Sequence, residues 1–336
     1  MAPRRAGKKA RAKKKPSRTV ARKRKARPEP CDDPADAARR SCGCLQVHFG
    51  LLDAYPEFRA NQAQIEQFTR FYVQAGDFVA RRGVTTIPVV VHVVYRTDEE
   101  NISERQLRSQ IAVLNRDFRA ANPDVAKVPA PFRDGVSDAR IEFALAGEDP
   151  DGNPSSGIQR VKTTRRSFRH FEDDVKSSAT GGSEPWDTER YLNIWVCTLA
   201  GGLLGYAQFP GGPPGTDGVV ILNTAFGTSG TATAPFNRGR TTVHEVGHYL
   251  NLPHIWGENR IPGCGDTDLV DDTPNQFDKN FGRPDFPHVS CHNGPHGDMF
   301  MNYMDYVDDD AMFMFTHGQV MRMQATLAGP RSELGA

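Results

Sequence analysis

Apolar residues change their spacing several times along the chain. Across residues 53–81, Phe58, Ile65, Phe68, Phe71, Tyr72, Phe78 and Val79 recur among polar residues at helical intervals, which predicts one or two amphipathic helices. Residues 85–95, TTIPVVVHVVY, are instead a nearly unbroken β-branched run of the kind that fills a strand buried on both faces. Residues 103–118 return to a helical pattern, with Ser103 as the capping residue. Short apolar stretches at 141–146, 191–198, 203–208 and 219–222 predict further strands. A helix after the first strand, and more strands before a histidine-bearing helix, describe an α/β architecture.

That last helix carries the chemistry. In His244-Glu245-Val246-Gly247-His248-Tyr249-Leu250-Asn251-Leu252-Pro253-His254, two histidines stand one turn apart, so both rings face one point beside the helix. Glu245 then lies beside a metal without holding it, where it can take a proton from a water and pass it to a leaving amine. His254 reaches the same point only if the chain turns back, and Asn251 is the non-glycine residue that best tolerates the left-handed backbone this needs. Three imidazole ligands leave a fourth position open, the signature of a catalytic zinc.

The spacing H-E-x-x-H-x-x-N-x-x-H resembles the metzincin metalloproteases, with asparagine where their pattern has glycine. Met301-Asn302-Tyr303-Met304-Asp305-Tyr306 is similar to their Met-turn, with Met304 beneath the zinc. The stretches TIPVVVHVVY at 86–95, YLNIWV at 191–196, GYAQFP at 205–210 and NYMDY at 302–306 look like the pappalysin branch, and the resemblance runs from about 84 to 325. It implies a zinc endopeptidase acting on protein or peptide substrates, with Glu245 as general base and acid. Tyr306 would either hydrogen-bond the oxyanion or pack below the metal. The implied fold is metzincin-type: a twisted, mostly parallel five-stranded sheet over an active-site helix, an upper subdomain 84–251 and a loop-rich lower subdomain 252–336. The strand at 203–208 would lie at the sheet edge above the cleft, where an extended peptide can pair with it.

The resemblance carries four finer expectations. Cys264 and Cys291 look like the family's disulfide. The loop 266–274 holds Asp266, Asp268, Asp271 and Asp272, and looks like a calcium loop using Asp268, Val270, Asp272 and Thr273. Asp308, Asp309 and Asp310 fall where metzincins shape the primed-side pocket, so a carboxylate there would favour Arg or Lys at P1′. Arg40-Ser41-Cys42-Gly43 resembles an Arg-x-Cys-Gly pro-segment, whose cysteine takes the open zinc position. Residues 31–83 would then be a pro-region. Cys31 and Cys44 are equally placed to bridge each other or Cys42, and Cys197 reads as a buried small apolar side chain.

Composition changes this picture at the front of the chain. The whole is near neutral, but residues 1–27 hold 14 Lys/Arg and no acid, leaving 28 basic against 41 acidic residues, a net of −13, in the remainder. Residues 1–30 have almost no large apolar residue and should be disordered. Such an arm can bind nucleic acid through counterion release, without sequence specificity, or be a solvated leader. A nucleic-acid-associated or non-catalytic binding protein anchored by it is the alternative to the protease. No apolar run is long enough for a signal peptide core or a membrane span, although the family resemblance implies secretion. His288, Cys291, His292 and His296 lie among helix-breaking Pro287, Gly294 and Pro295 and do not read as a second zinc site. His92, inside the first strand, reads as a core histidine.

Overall fold

The computed structural model describes residues 39–76, 82–258 and 261–335. Helices α1 (Cys44–Ala54) and α2 (Pro56–Ala75) precede strand β1 (Thr85–Tyr95). There follow α3 (Glu104–Asp117), the single-turn α4 (Ala130–Arg133), β2 (Ile141–Leu145), β3 (Ile158–Lys162), β4 (Leu192–Cys197), β5 (Gly205–Ala207) and β6 (Val219–Leu222). Helix α5 (Arg240–Tyr249), the two-residue strands β7 (Phe281–Gly282) and β8 (Tyr306–Val307), and α6 (His317–Ala328) complete the order.

β1 is the spine. It pairs in parallel with β4 on one side, and on the other first with β2 through Thr85↔Ile141 and then with β3 through Val91↔Ile158. The break between β2 and β3 passes through Gly157, at φ 68, where a Cβ would stand 2.6 Å from the Ala146 nitrogen. β6 continues the sheet in parallel and β5 closes its edge antiparallel, giving the order β2-β1-β4-β6-β5. The sheet is mostly parallel as expected, but among the described residues it has six strands rather than five. β3, IQRVK, escapes the sequence pattern because it carries only two apolar residues.

The unbroken apolar run of β1 matches burial on both faces. α3 and α5 pack on one side. On the other, His92 bonds Ser183 (3.0 Å) and Asn193 (2.9 Å) and stacks on Trp195, and burial pushes its pKa down to about 4. His92 is thus the expected core histidine.

Two details aim α5. Ser103 caps α3 by accepting from the Gln106 N–H (3.2 Å), as its sequence predicts. From α3, Gln106 and Gln110 then reach into the loop before α5, donating to the Phe226 carbonyl (2.9 Å) and to the carbonyl of Gly239 (2.9 Å), the residue that caps the start of α5. All ten residues of α5 are buried. Below it, the chain has little regular structure until α6, which opens on a capping box between Thr316 and Gln319.

The expected N-terminal amphipathic helix is α2, which buries Phe58, Ile65 and Tyr72. Tyr72 joins Met321 and Ala325 of α6 in a small apolar cluster, and Glu66 pairs with Arg322 at 2.9 Å. Phe78 and Val79 lie outside the described residues, as does the basic segment 1–30. α1 has no counterpart in the sequence reading.

Candidate metal centre

α5 ends as the motif requires. Asn251 stands at φ 71, and the Leu252 N–H donates back to the Gly247 carbonyl (3.0 Å), so the chain reverses within two residues. His254 is thereby delivered beside the helix it has just left. The Nε2 atom of His248 lies 3.1 Å from that of His244 and 3.1 Å from that of His254. Tetrahedral zinc with bonds of about 2.1 Å sets its ligand nitrogens about 3.4 Å apart, so one ion fits these three.

The opposite ring nitrogens fix the tautomers. His244 Nδ1 donates to the Tyr303 carbonyl (2.7 Å) and His248 Nδ1 to the Leu252 carbonyl (2.7 Å). His254 Nδ1 instead faces the Glu258 carboxylate at 3.3 Å, and the same oxygen accepts the His254 N–H at 2.8 Å. Burial holds the pKa of all three imidazoles low, to about 3 for His248 and His254, so they are neutral with Nε2 lone pairs free for a metal.

The floor of the site comes from the lower half. Met304 is fully buried with its sulfur against Gly247, where a Cβ would meet it at 2.5 Å and force the methionine to shift. Trp256 stacks on His254 at 4.4 Å, and the Tyr306 ring lies 5.6 Å from His244 and 5.2 Å from His254. Above, Glu245 presses on the edge strand, since a Cβ on Gly205 would stand 2.8 Å from its Cγ. Burial pushes the Glu245 carboxyl up to about 7.

The cleft is filled by the chain's own N-terminal segment. Ser41 and Gly43 pair with β5: the Leu204 N–H donates to the Ser41 carbonyl and the Gly43 N–H to the Gly205 carbonyl, each at 2.9 Å. Cys42 Sγ and the three histidine nitrogens lie within 4.8 Å of one another, all buried. The Tyr306 hydroxyl accepts the Cys42 N–H (3.3 Å) and donates to the Cys42 carbonyl (3.4 Å). Arg40 enters a closed pocket, where it donates to Asp309 (2.6 Å), the Thr241 hydroxyl (3.0 Å) and the Val307 carbonyl (3.1 Å), its guanidinium lying 5.1 Å over the Phe236 ring.

This geometry agrees with what the chain is similar to. The peptidase family M43 model, described as pregnancy-associated plasma protein-A, matches residues 175–328. An extracellular metalloprotease of Pyricularia oryzae is 32% identical over 266 residues, covering 75% of this chain and 78% of that one. A Tannerella forsythia promirolysin variant superposes with a TM-score of 0.81 at 44% identity, covering 88% of this chain and 97% of that one. Mature mirolysin with a cleaved peptide gives 0.74 at 50% identity, covering 76% and 97%.

The chain belongs to the M43, or pappalysin, family. It is therefore a metalloendopeptidase with a mirolysin-like fold, and the family implies a catalytic zinc that His244, His248 and His254 are fitted to hold. No helix among the described residues is long and apolar enough to cross a membrane.

Other residues singled out in this pappalysin's sequence fall into place unevenly. Cys264 and Cys291 form the expected disulfide. Cys42, Cys44 and Cys197 are free and buried, so Cys42 and Cys44 are not bridged, and Cys31 lies outside the described residues. Asp268 is buried, and its carboxylate and the Val270 carbonyl both accept from Thr273, at 2.8 and 2.9 Å. The Asp272 carboxylate does not join them. It accepts instead from the Thr316 hydroxyl (2.7 Å) and the Gly318 N–H (2.8 Å), capping α6. Asp308 and Asp310 face Arg283, at 3.8 and 2.7 Å, and only Asp309 meets Arg40. His288 pairs with Asp298, and Cys291 is bridged to Cys264.

Sequence reasoning missed Glu258 and Cys44 as members of the site. Each contacts a site residue through a turn that only the fold creates. Arg40 was visible within the Arg-x-Cys-Gly pattern, but not its pairing with Asp309.

Proposed function

We propose that the chain is the latent precursor of a secreted zinc endopeptidase, that residues 31–83 are its removable pro-region, and that the mature enzyme, residues 84–336, prefers Arg or Lys at P1′. The observation that carries this reading is the occupant of the cleft, which uses the edge strand, the metal centre and the Asp309 pocket together. Relatives described as extracellular, and a disulfide suited to an oxidising compartment, support secretion.

Zinc, when bound, supplies a Lewis acid for the scissile carbonyl and lowers the pKa of the attacking water to about 7. Glu245 takes a proton from that water and returns it to the leaving amine. A glutamate beside the metal but not bound to it can make both transfers. The Tyr306 hydroxyl, released from the Cys42 backbone, donates to the oxyanion. A substrate strand takes the β5 groups now used by Ser41 and Gly43, which orients the scissile bond. Asp309 receives the P1′ side chain. A guanidinium can make paired bonds to a carboxylate where an ammonium presents a point charge, so arginine exceeds lysine.

Calcium belongs to the same proposal, with the Asp268 carboxylate, the Val270 carbonyl and the Thr273 hydroxyl as its oxygen ligands and the Asp272 carboxylate left out.

Peptide-library cleavage read by mass spectrometry tests the reading. Arg and Lys should dominate P1′ for the processed enzyme. Asp309→Asn should lower kcat/KM for P1′ Arg peptides about 100-fold, the scale of losing one partner of a buried charge pair, while sparing P1′ Leu peptides. A parent profile led by apolar P1′ residues would overturn the specificity claim.

A further inference from the structure

Latency through Cys42 accounts for one thiol of Cys42-Gly43-Cys44, yet the second is the better placed of the two against the catalytic carboxylate. Cys44 Sγ lies 2.9 Å from Glu245 Oε2, against 3.3 Å for Cys42 Sγ to the same oxygen. Cys44 is fully buried. Its sulfur also accepts the outward N–H of Ala207 on the edge strand at 3.0 Å, while its own N–H donates to Cys42 Sγ at 3.3 Å. The residue between them is closely packed: a Cβ on Gly43 would stand 3.1 Å from Leu203 Cδ1, 3.2 Å from Tyr206 Cβ and 3.3 Å from His170 Cγ, tighter than ordinary contact.

We propose that Cys44 is a second, metal-independent latch: its thiol donates to Glu245 and accepts from Ala207, so that the precursor occupies the catalytic base and the substrate-binding edge separately from the metal. The inference rests on the reading of residues 31–83 as a pro-region. A thiol is a weak donor, but a carboxylate acceptor in a site closed to water strengthens the bond, and no water competes for it. Cys42 and Cys44 thus divide the work. Removing the metal loosens the first and leaves the second in place. Because both sulfurs meet one carboxylate oxygen, the base stays covered until the segment itself is withdrawn.

Alkylation of the full-length chain with iodoacetamide, mapped by mass spectrometry, separates the two latches. The parent, Cys44→Ala and Cys44→Ser are each compared in zinc-loaded form and after zinc removal, with circular dichroism confirming the fold. In the zinc-free parent, Cys42 should label slowly. Cys44→Ala should raise that rate about tenfold, the effect of losing one hydrogen bond to a charged group. Cys44→Ser keeps a donor for Glu245 and should stay near the parent rate. An unchanged Cys42 rate in Cys44→Ala, or equal acceleration in the alanine and serine variants, overturns the second latch. Equal Cys42 labelling of the parent with and without zinc would instead sink the metal latch, and leaves the alanine-serine contrast intact as the test of Cys44.

Discussion

The upper half, residues 84–251, and the lower half, residues 252–336, meet at the candidate metal centre and share one apolar cluster, but differ in how far polar side chains brace them. The upper half is a ladder of buried β-branched residues backed by α3 and α5, and contributes His244, Glu245 and His248 from a single buried helix. In the lower half, polar side chains do much of the work. Asp305 accepts from Gln276 (2.9 Å) and Asn280 (2.8 and 3.0 Å), Asp298 from Ser290 and Asn293 (2.7 Å each), and Cys264–Cys291 ties the loop beyond. From it come His254, Tyr306 and Asp309. The difference has a consequence for the proposed roles: Glu245 lies on a helix buried along its whole length, whereas Asp309 lies among loops braced by polar side chains and a disulfide.

The sharpest break in the comparison is catalytic. In the processed form, Glu245→Ala should keep stoichiometric zinc and fold while losing activity about 1000-fold or more, whereas His254→Ala should lose zinc as well. Metal analysis beside casein cleavage checks both. Near-parent cleavage by Glu245→Ala would remove the carboxylate from the mechanism.

Next in size is the disulfide. Replacing Cys264 and Cys291 by serine should cost about 3 kcal/mol for a bridge of 27 residues' separation, lowering the melting temperature. Hydrogen exchange should quicken in the lower loops while β1 and β4 stay protected. Uniform loss of protection in both halves would contradict the division.

The smallest effect sharpens the calcium proposal. Burial pushes the Asp268 pKa up to about 7, above its unfolded value near 3.8. Without calcium, the folded chain therefore binds this proton more tightly than the unfolded chain. Stability from this group falls as pH rises from about 4 to 7, and its cost is full above 7. Asp268→Asn should therefore raise the melting temperature at pH 8 in chelator with zinc restored, change it little at pH 4, and lower it in millimolar calcium. No calcium response in the parent would remove the ion from this loop.

Much of the upper half was legible because its signals are local. β1 declares itself by β-branching, α3 by its Ser103 cap, and α5 by two histidines at helical spacing with a left-handed-tolerant Asn251 behind them. Each depends on the chain within about one turn or one strand. β3 was not legible, since its two apolar residues make a strand only when β1 offers an edge. α1 was missed because its residues carry no clear helical face of their own, and they are ordered against β5 and α2.

By itself, then, the sequence determined the α/β class, the three histidines and the acid between them, because ligand spacing on a helix is set by local backbone geometry. The tertiary structure decided which carboxylate of Asp308, Asp309 and Asp310 receives an arginine, that Asp272 caps a helix, that Glu258 stands behind His254, and that Cys44 reaches Glu245. Those pairs are far apart in the chain or separated by irregular turns, so no periodicity encodes them. Their distances exist only once the sheet, the returning chain after Asn251 and the N-terminal segment have closed on one another.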